Sequence, residues 1–144
     1  MAAAASTVTI SRIFAAGSAC DILYLADNAG EIVLDRLLIE ALGPARVTVA
    51  VRGAPVINDA TMDGSDAPGT VLSDCSEAFQ ERFRKADLVI SKGQGNFETL
   101  SGAPRDVCFL FKVKCPVISS NVGLPPGTQA LLWSRAGKDN KGES

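Results

Sequence analysis

Histidine is absent from the 144 residues. That excludes a Ser-His or Cys-His nucleophile pair and any histidine-ligated metal. The cysteines, Cys20, Cys75, Cys108 and Cys115, include no C-x-x-C pair, so no zinc or dithiol redox motif is present. They read as reduced, packed thiols of a cytoplasmic protein. No apolar run reaches the roughly 18–20 residues that span a bilayer, and no membrane partner is expected. A basic excess is missing too: the net charge of −2 argues against nucleic acid as a partner. Neither G-x-G-x-x-G nor G-x4-G-K-[ST] occurs, which disfavours a nucleotide-binding domain.

What is present suits one globular domain. The chain is 47% hydrophobic and 21% charged, enough to bury a core. Residues 1–20 are alanine-rich, with one arginine (Arg12) and no acid before Asp21. A transit peptide looks similar, but one arginine is thin support, and the segment is read as a poorly matched N-terminus. An α/β domain is expected over residues 21–134, and a polar tail over residues 135–144.

The run from Asp21 to Ala26 reads as a buried strand. A helix follows, with Val33, Leu34, Leu37, Leu38, Ala41 and Leu42 as its apolar face, stopped by Gly43 and Pro44. Val47 to Val51 is a second, β-branched strand. Strand, helix and strand in this order form a parallel βαβ unit. Asn58 or Asp59 is placed to cap a short helix from Ala60. Asp74 and Glu77 suggest a capping box for a helix to about Ala86, with Phe79, Phe83 and Ala86 as its stripe. Further strands are expected at Asp87 to Ser91, Val107 to Phe111 and, at an edge, Ala130 to Trp133. A short helix is placed from Phe97.

Each of four strand candidates runs straight into a polar cluster. In an open parallel sheet, ligands bind beyond the carboxyl ends of the strands. Those ends bring Asp27, Asn28 and Glu31 near Arg52, Asn58 and Asp59, near Lys92, Gly93 and Asn96, and near Lys112 and Lys114. With histidine excluded, a metal must sit on oxygen, which points to magnesium, manganese or calcium. Oxygen donors beside lysines suit a divalent cation bridged to a phosphate. Each piece also has a plainer reading. Asp27-Asn28 and Asn58-Asp59 fit helix caps or turns, Lys92-Gly93-Gln94-Gly95-Asn96 is not a Walker sequence, and Arg52 and Lys112 fit solvated surface charges. Cys115 reads as a packed thiol.

The segments Leu25-Ala26-Asp27-Asn28-Ala29-Gly30-Glu31, Arg52 to Thr61, Ser91-Lys92-Gly93-Gln94-Gly95-Asn96-Phe97-Glu98 and Phe111-Lys112-Val113-Lys114-Cys115-Pro116 resemble the damage-control phosphatases, a family long treated as a domain of unknown function. The resemblance is to the prokaryotic and archaeal branch and runs in order from about Asp21 to Trp133. It implies a three-layer αβα, Rossmann-like core with a mainly parallel sheet. It also implies hydrolysis of phosphomonoesters of small metabolites with manganese, nickel, cobalt or magnesium. On that resemblance Asp27, Asn28 and Asp59 hold the metal and join Lys92 as catalytic residues. Lys92 contacts phosphate, and Glu31, Arg52, Asn58, Gly93, Asn96, Lys112 and Lys114 line the substrate. A methyltransferase role proposed within the family ranks low, because no glycine-rich turn for a methyl donor follows the first strand. Compared with the family, one βα unit after the Asn-Asp segment and a helical N-terminal region are expected to be lacking. A non-catalytic module that binds metal or a phosphometabolite is therefore the alternative.

Overall fold

The computed structural model describes residues 21–27, 32–52, 60–62 and 69–136, with the side chains at positions 32–34, 51–52 and 60–62 excepted. The chain runs β1 (Ile22–Leu25), α1 (Ile32–Leu42), β2 (Val47–Arg52), β3 (Ala60–Met62), α2 (Glu77–Lys85), β4 (Leu88–Lys92), α3 (Gln94–Leu100), β5 (Val107–Lys112), α4 (Pro116–Val122) and β6 (Gln129–Ser134). One six-stranded sheet has the order β3-β2-β1-β4-β5-β6. All neighbours are parallel except β5 and β6. No helix of the described residues is long and apolar enough to cross a membrane.

Alternation along β1 sorts the core into two layers. Ile22 and Tyr24 point to one face with Leu42 of α1, where Leu38 and Ile39 pack against them. Leu23 and Leu25 point to the other, where Phe79 and Phe83 of α2, Phe97 and Leu100 of α3, and Ile118 of α4 pack. The three-layer αβα expectation is met. All four β1 side chains are completely buried, so the strand reads as a continuous apolar run. Phe97 stacks on Phe111 at 4.6 Å and meets Phe109 edge-on at 5.2 Å, tying α3 to β5.

Several local expectations are corrected. The helix expected from Ala60 is a strand, paired Ala50↔Ala60, Val51↔Thr61 and Arg52↔Met62. Ladder bonds along β2 outweigh the cap chemistry of the preceding Asn-Asp, since so short a segment takes its structure from its neighbour. The cap of α2 is Ser76, whose Oγ accepts from the Phe79 N–H at 3.2 Å; Asp74 instead closes a 3-10 turn at Leu72–Asp74. The helix expected from Phe97 begins at Gln94, because Gly93 alone, at φ 90°, makes the turn out of β4. Helix α4 was not anticipated, although Pro116 at its first turn and left-handed Gly123 at its end are the usual punctuation. The apolar stripe of α1 is also rotated. Leu37 is 61% exposed and Ala41 is exposed, while Asp35, Leu38, Ile39 and Leu42 face the sheet at i, i+3, i+4 and i+7.

Cys108 lies in β5, completely buried in the layer under α1. Burial pushes its thiol up to about 12, so roughly one molecule in ten thousand carries the thiolate at pH 8. Iodoacetamide at that pH is expected to leave Cys108 unmodified in the folded chain and to label it in denaturant. Mass spectrometry of the peptide containing Val107–Lys112 reads the difference, and native labelling at Cys108 would contradict this packing.

Candidate functional site

The chain builds its sheet outward from β1 in one direction and, after β4, in the other. The reversal falls between β1 and β4, and an open parallel sheet has a crevice beyond the strand ends at such a point. The register Leu25↔Ser91, carried two residues further, sets Asp27 opposite Gly93. The approach is close: a Cβ on Gly93 would fall 2.3 Å from the Asp27 Cγ and Oδ2. The Asp27 carboxylate therefore lies in a cradle that only glycine leaves open. Gly93 is fixed from the other side by its N–H, which donates to the Leu110 carbonyl of β5 at 2.9 Å.

A cavity of about 290 Å³ opens at these strand ends, lined by Asp27, Lys92, Gly93 and Gln94 together with Lys112, Lys114 and Gln129. Leu110 and Leu131 add apolar wall. Because β6 runs antiparallel, its first residues reach the same end of the sheet as the carboxyl ends of β4 and β5. Lys112 and Lys114 are exposed. Gln94 positions the Lys114 segment: its Oε1 accepts from the Lys114 N–H at 2.8 Å, and its Nε2 donates to Glu98 Oε1 at 2.9 Å.

Of the residues expected at the site, the fold thus brings Asp27, Lys92, Gly93, Lys112 and Lys114 to one cavity. Asn28, Glu31, Asn58 and Asp59 lie outside the described residues, as does the side chain of Arg52, whose backbone ends β2. Asn96 is completely buried. Its Nδ2 donates to the Lys92 carbonyl at 2.8 Å, and its Oδ1 accepts from the Thr70 hydroxyl at 2.9 Å. It braces the backbone beneath Lys92 and is not among the cavity-lining residues.

Two residues around Lys92 escaped the sequence reading. The Lys92 ammonium donates to Asp35 Oδ1 at 3.0 Å, with side chains only 17% and 5% exposed. The Tyr24 hydroxyl donates to the same oxygen at 2.6 Å. Asp35 Oδ2 is buried with no hydrogen-bond partner among the described residues. Asp35 could have been found from its place at the head of the i, i+3, i+4, i+7 stripe, where a leucine would be ordinary.

For a metal, the described residues supply one donor of the expected set, Asp27, and among them no group of three or more His, Cys, Asp or Glu is arranged to hold an ion. The donors at hand are nonetheless of the right kind. The carboxylate held against the Gly93 backbone is a hard oxygen ligand, as a magnesium- or manganese-type ion requires.

Comparison with known proteins gives a consistent result. The sequence profile described as "Damage-control phosphatase ARMT1-like domain" matches residues 4–66 and 62–130. A damage-control phosphatase of Pyrococcus horikoshii is 39% identical over 135 residues, covering 80% of this chain and 47% of that protein. An uncharacterized protein of Methanocaldococcus jannaschii is 36% identical over 133 residues, covering 77% of this chain and 44% of that protein. A crystal structure described as a DUF89 family protein of P. horikoshii superposes with a TM-score of 0.68 at 34% identity, over 88% of this chain and 51% of the other. The chain spans about half the length of the curated relatives it matches.

Proposed function

The chain belongs to the damage-control phosphatase family with the ARMT1-like domain, and on that premise we propose that it hydrolyses phosphomonoesters of small metabolites with the help of a divalent cation. The observation that carries this reading is the meeting of an acid, Asp27, and three lysines, Lys92, Lys112 and Lys114, on one cavity at the strand ends. An anionic substrate of a protein with net charge −2 needs local positive potential, and the lysines supply it.

The oxygen donors for the cation are Asp27, Asn28 and Asp59, and manganese, cobalt, nickel and magnesium all suit oxygen ligands of this kind. Such an ion, when bound, neutralises phosphoryl charge and makes a water more acidic. The remaining work belongs to the side chains. Lys92 donates to a phosphoryl oxygen from a wall of the cavity. Lys112 and Lys114 draw the anion in, and the family resemblance assigns Glu31, Arg52 and Asn58 to substrate binding as well. Gly93 lets the Asp27 carboxylate lie flush against the backbone. Leu110 and Leu131 offer apolar surface to the rest of the substrate.

The test is manganese-dependent hydrolysis of an aryl phosphate, paired with a thermal melt. Manganese at about 100 times its dissociation constant is expected to add about 2.7 kcal/mol, a rise of several degrees in a domain of this size. Asp27→Ala is expected to remove both that rise and the turnover. A manganese-dependent rise without turnover in the wild type would instead favour a binding module. A cooperative melt indifferent to every metal would refute both.

A further inference from the structure

We propose that Asp35 is a positioning residue of this site: with the Tyr24 hydroxyl it forms a buried clamp that holds the Lys92 ammonium where a phosphoryl oxygen meets it. The inference rests on the reading of the cavity as a phosphate site and assigns work to two residues that reading leaves aside.

Stability alone gives no reason for an ion pair between positions 35 and 92. The Asp35 side chain faces the sheet at the head of an apolar stripe, where taking a carboxylate out of water is unfavourable, and two hydrophobic groups in place of Asp35 and Lys92 together would serve the fold equally well or better. What Asp35 does provide is a fixed acceptor. Tyr24 is completely buried in β1, and its hydroxyl holds Asp35 Oδ1 at 2.6 Å. That same oxygen receives the Lys92 ammonium at 3.0 Å.

Lys92 is thereby held at both ends. Its carbonyl receives the Asn96 side chain at 2.8 Å, and its backbone pairs with Leu110 of β5. A lysine reaches its target through four flexible carbons and loses rotamer freedom when it is fixed. Here the fold has fixed it before any ligand arrives, which is how preorganisation raises affinity. One of its three N–H donors goes to Asp35, and Lys92 is one of the residues that line the cavity. The clamp spans β1, α1 and β4, so its members are carried by regular secondary structure and not by loops.

Calorimetric titration of inorganic phosphate into the manganese-loaded chain tests this. The proteins compared are the wild type, Asp35→Asn, Tyr24→Phe and Asp35→Asn/Lys92→Met. Asp35→Asn keeps the side-chain size and an oxygen for the Tyr24 hydroxyl, and removes the countercharge of Lys92. It is expected to weaken phosphate binding by about tenfold or more with manganese affinity unchanged, and Tyr24→Phe to fall between it and the wild type. The double variant is expected to lie within about twofold of Asp35→Asn, because a released Lys92 has little left to lose. A further tenfold loss in the double variant would show that Lys92 works without Asp35, and would overturn the inference. So would phosphate binding that is unchanged or tighter in Asp35→Asn, which would mean that Asp35 merely neutralises the lysine. If Asp35→Asn does not fold, Tyr24→Phe decides: weaker phosphate binding with unaltered manganese binding supports the clamp, and unaltered phosphate binding sinks it. A wild-type chain that takes up manganese but no phosphate would refute the phosphate-site reading itself, and the clamp with it.

Discussion

Lys92→Met is expected to lower the unfolding free energy by about 3–5 kcal/mol, and Asp35→Asn added to it to restore much of that loss. The pair is largely removed from water, at 17% and 5% side-chain exposure and 3.0 Å apart. Screening that makes surface ion pairs weak does little here. Methionine matches the length of the lysine stem, so lost packing is minor. The effect comes from the carboxylate left behind. With the ammonium gone, Asp35 keeps the Tyr24 hydroxyl on Oδ1 but no countercharge, and Oδ2 has no hydrogen-bond partner among the described residues. Against a usual total of about 5–15 kcal/mol the loss is severe, a drop of about 10–15 °C in melting temperature. Neutralising Asp35 removes the stranded charge, so the double variant should melt above Lys92→Met. Urea melts of the wild type, both singles and the double complete the cycle. If the double is less stable than Lys92→Met by the full effect of Asp35→Asn alone, the two residues are not coupled and the ion pair contributes nothing.

The contrast between Asp35 and Asp27 shows what the sequence could and could not disclose. Asp27 follows a buried apolar strand directly, and a polar residue at the carboxyl end of a parallel strand announces itself. Asp35 sits inside a helix, where an acid ordinarily marks the solvent face, and its partner Lys92 is 57 positions away. Only the rotation of α1 that turns Ile39 toward the core and exposes Leu37 brings the two together. The strands were legible because parallel strands buried on both faces read as unbroken apolar runs. β3 was not, since Ala60–Met62 has no pattern of its own and is a strand because β2 lies beside it. Helix α4 was hidden by its β-branched and small residues, PVISSNV, which favour a helix only weakly. Its packing through Ile118 decides the matter. Asn96 illustrates a third limit. Its type and place suggested a ligand-facing amide, but both ends of that amide are taken up by Thr70 and the Lys92 carbonyl.

Gly93→Ala should be a severely damaging small substitution. Two independent effects add. At φ 90° any residue with a Cβ is strained, by about 1–2 kcal/mol. That methyl would also meet the Asp27 carboxylate at 2.3 Å from Cγ and Oδ2, far inside van der Waals contact, so one of the two must move. Gly93 cannot yield easily, because its N–H is bonded to Leu110 in β5 and its carbonyl accepts from Phe97 in α3. Asp27 is the partner that gives way, and its carboxylate leaves its place against Gly93 beside the cavity. The expected result is a total destabilisation of about 2–4 kcal/mol, loss of the manganese-dependent rise in melting temperature, and phosphatase turnover down by about a hundredfold or more. Gly102→Ala is the control. Nothing lies within 4 Å of its added Cβ, and its melt and activity should match the wild type. A Gly93→Ala protein that melts like Gly102→Ala and still answers to manganese would show that Asp27 and Gly93 do not approach as described. The proposed metal site would then lose its one donor among the described residues. Intact stability with a lost metal response would be equally informative, since it would separate the position of the carboxylate from the backbone strain and assign the whole effect to Asp27.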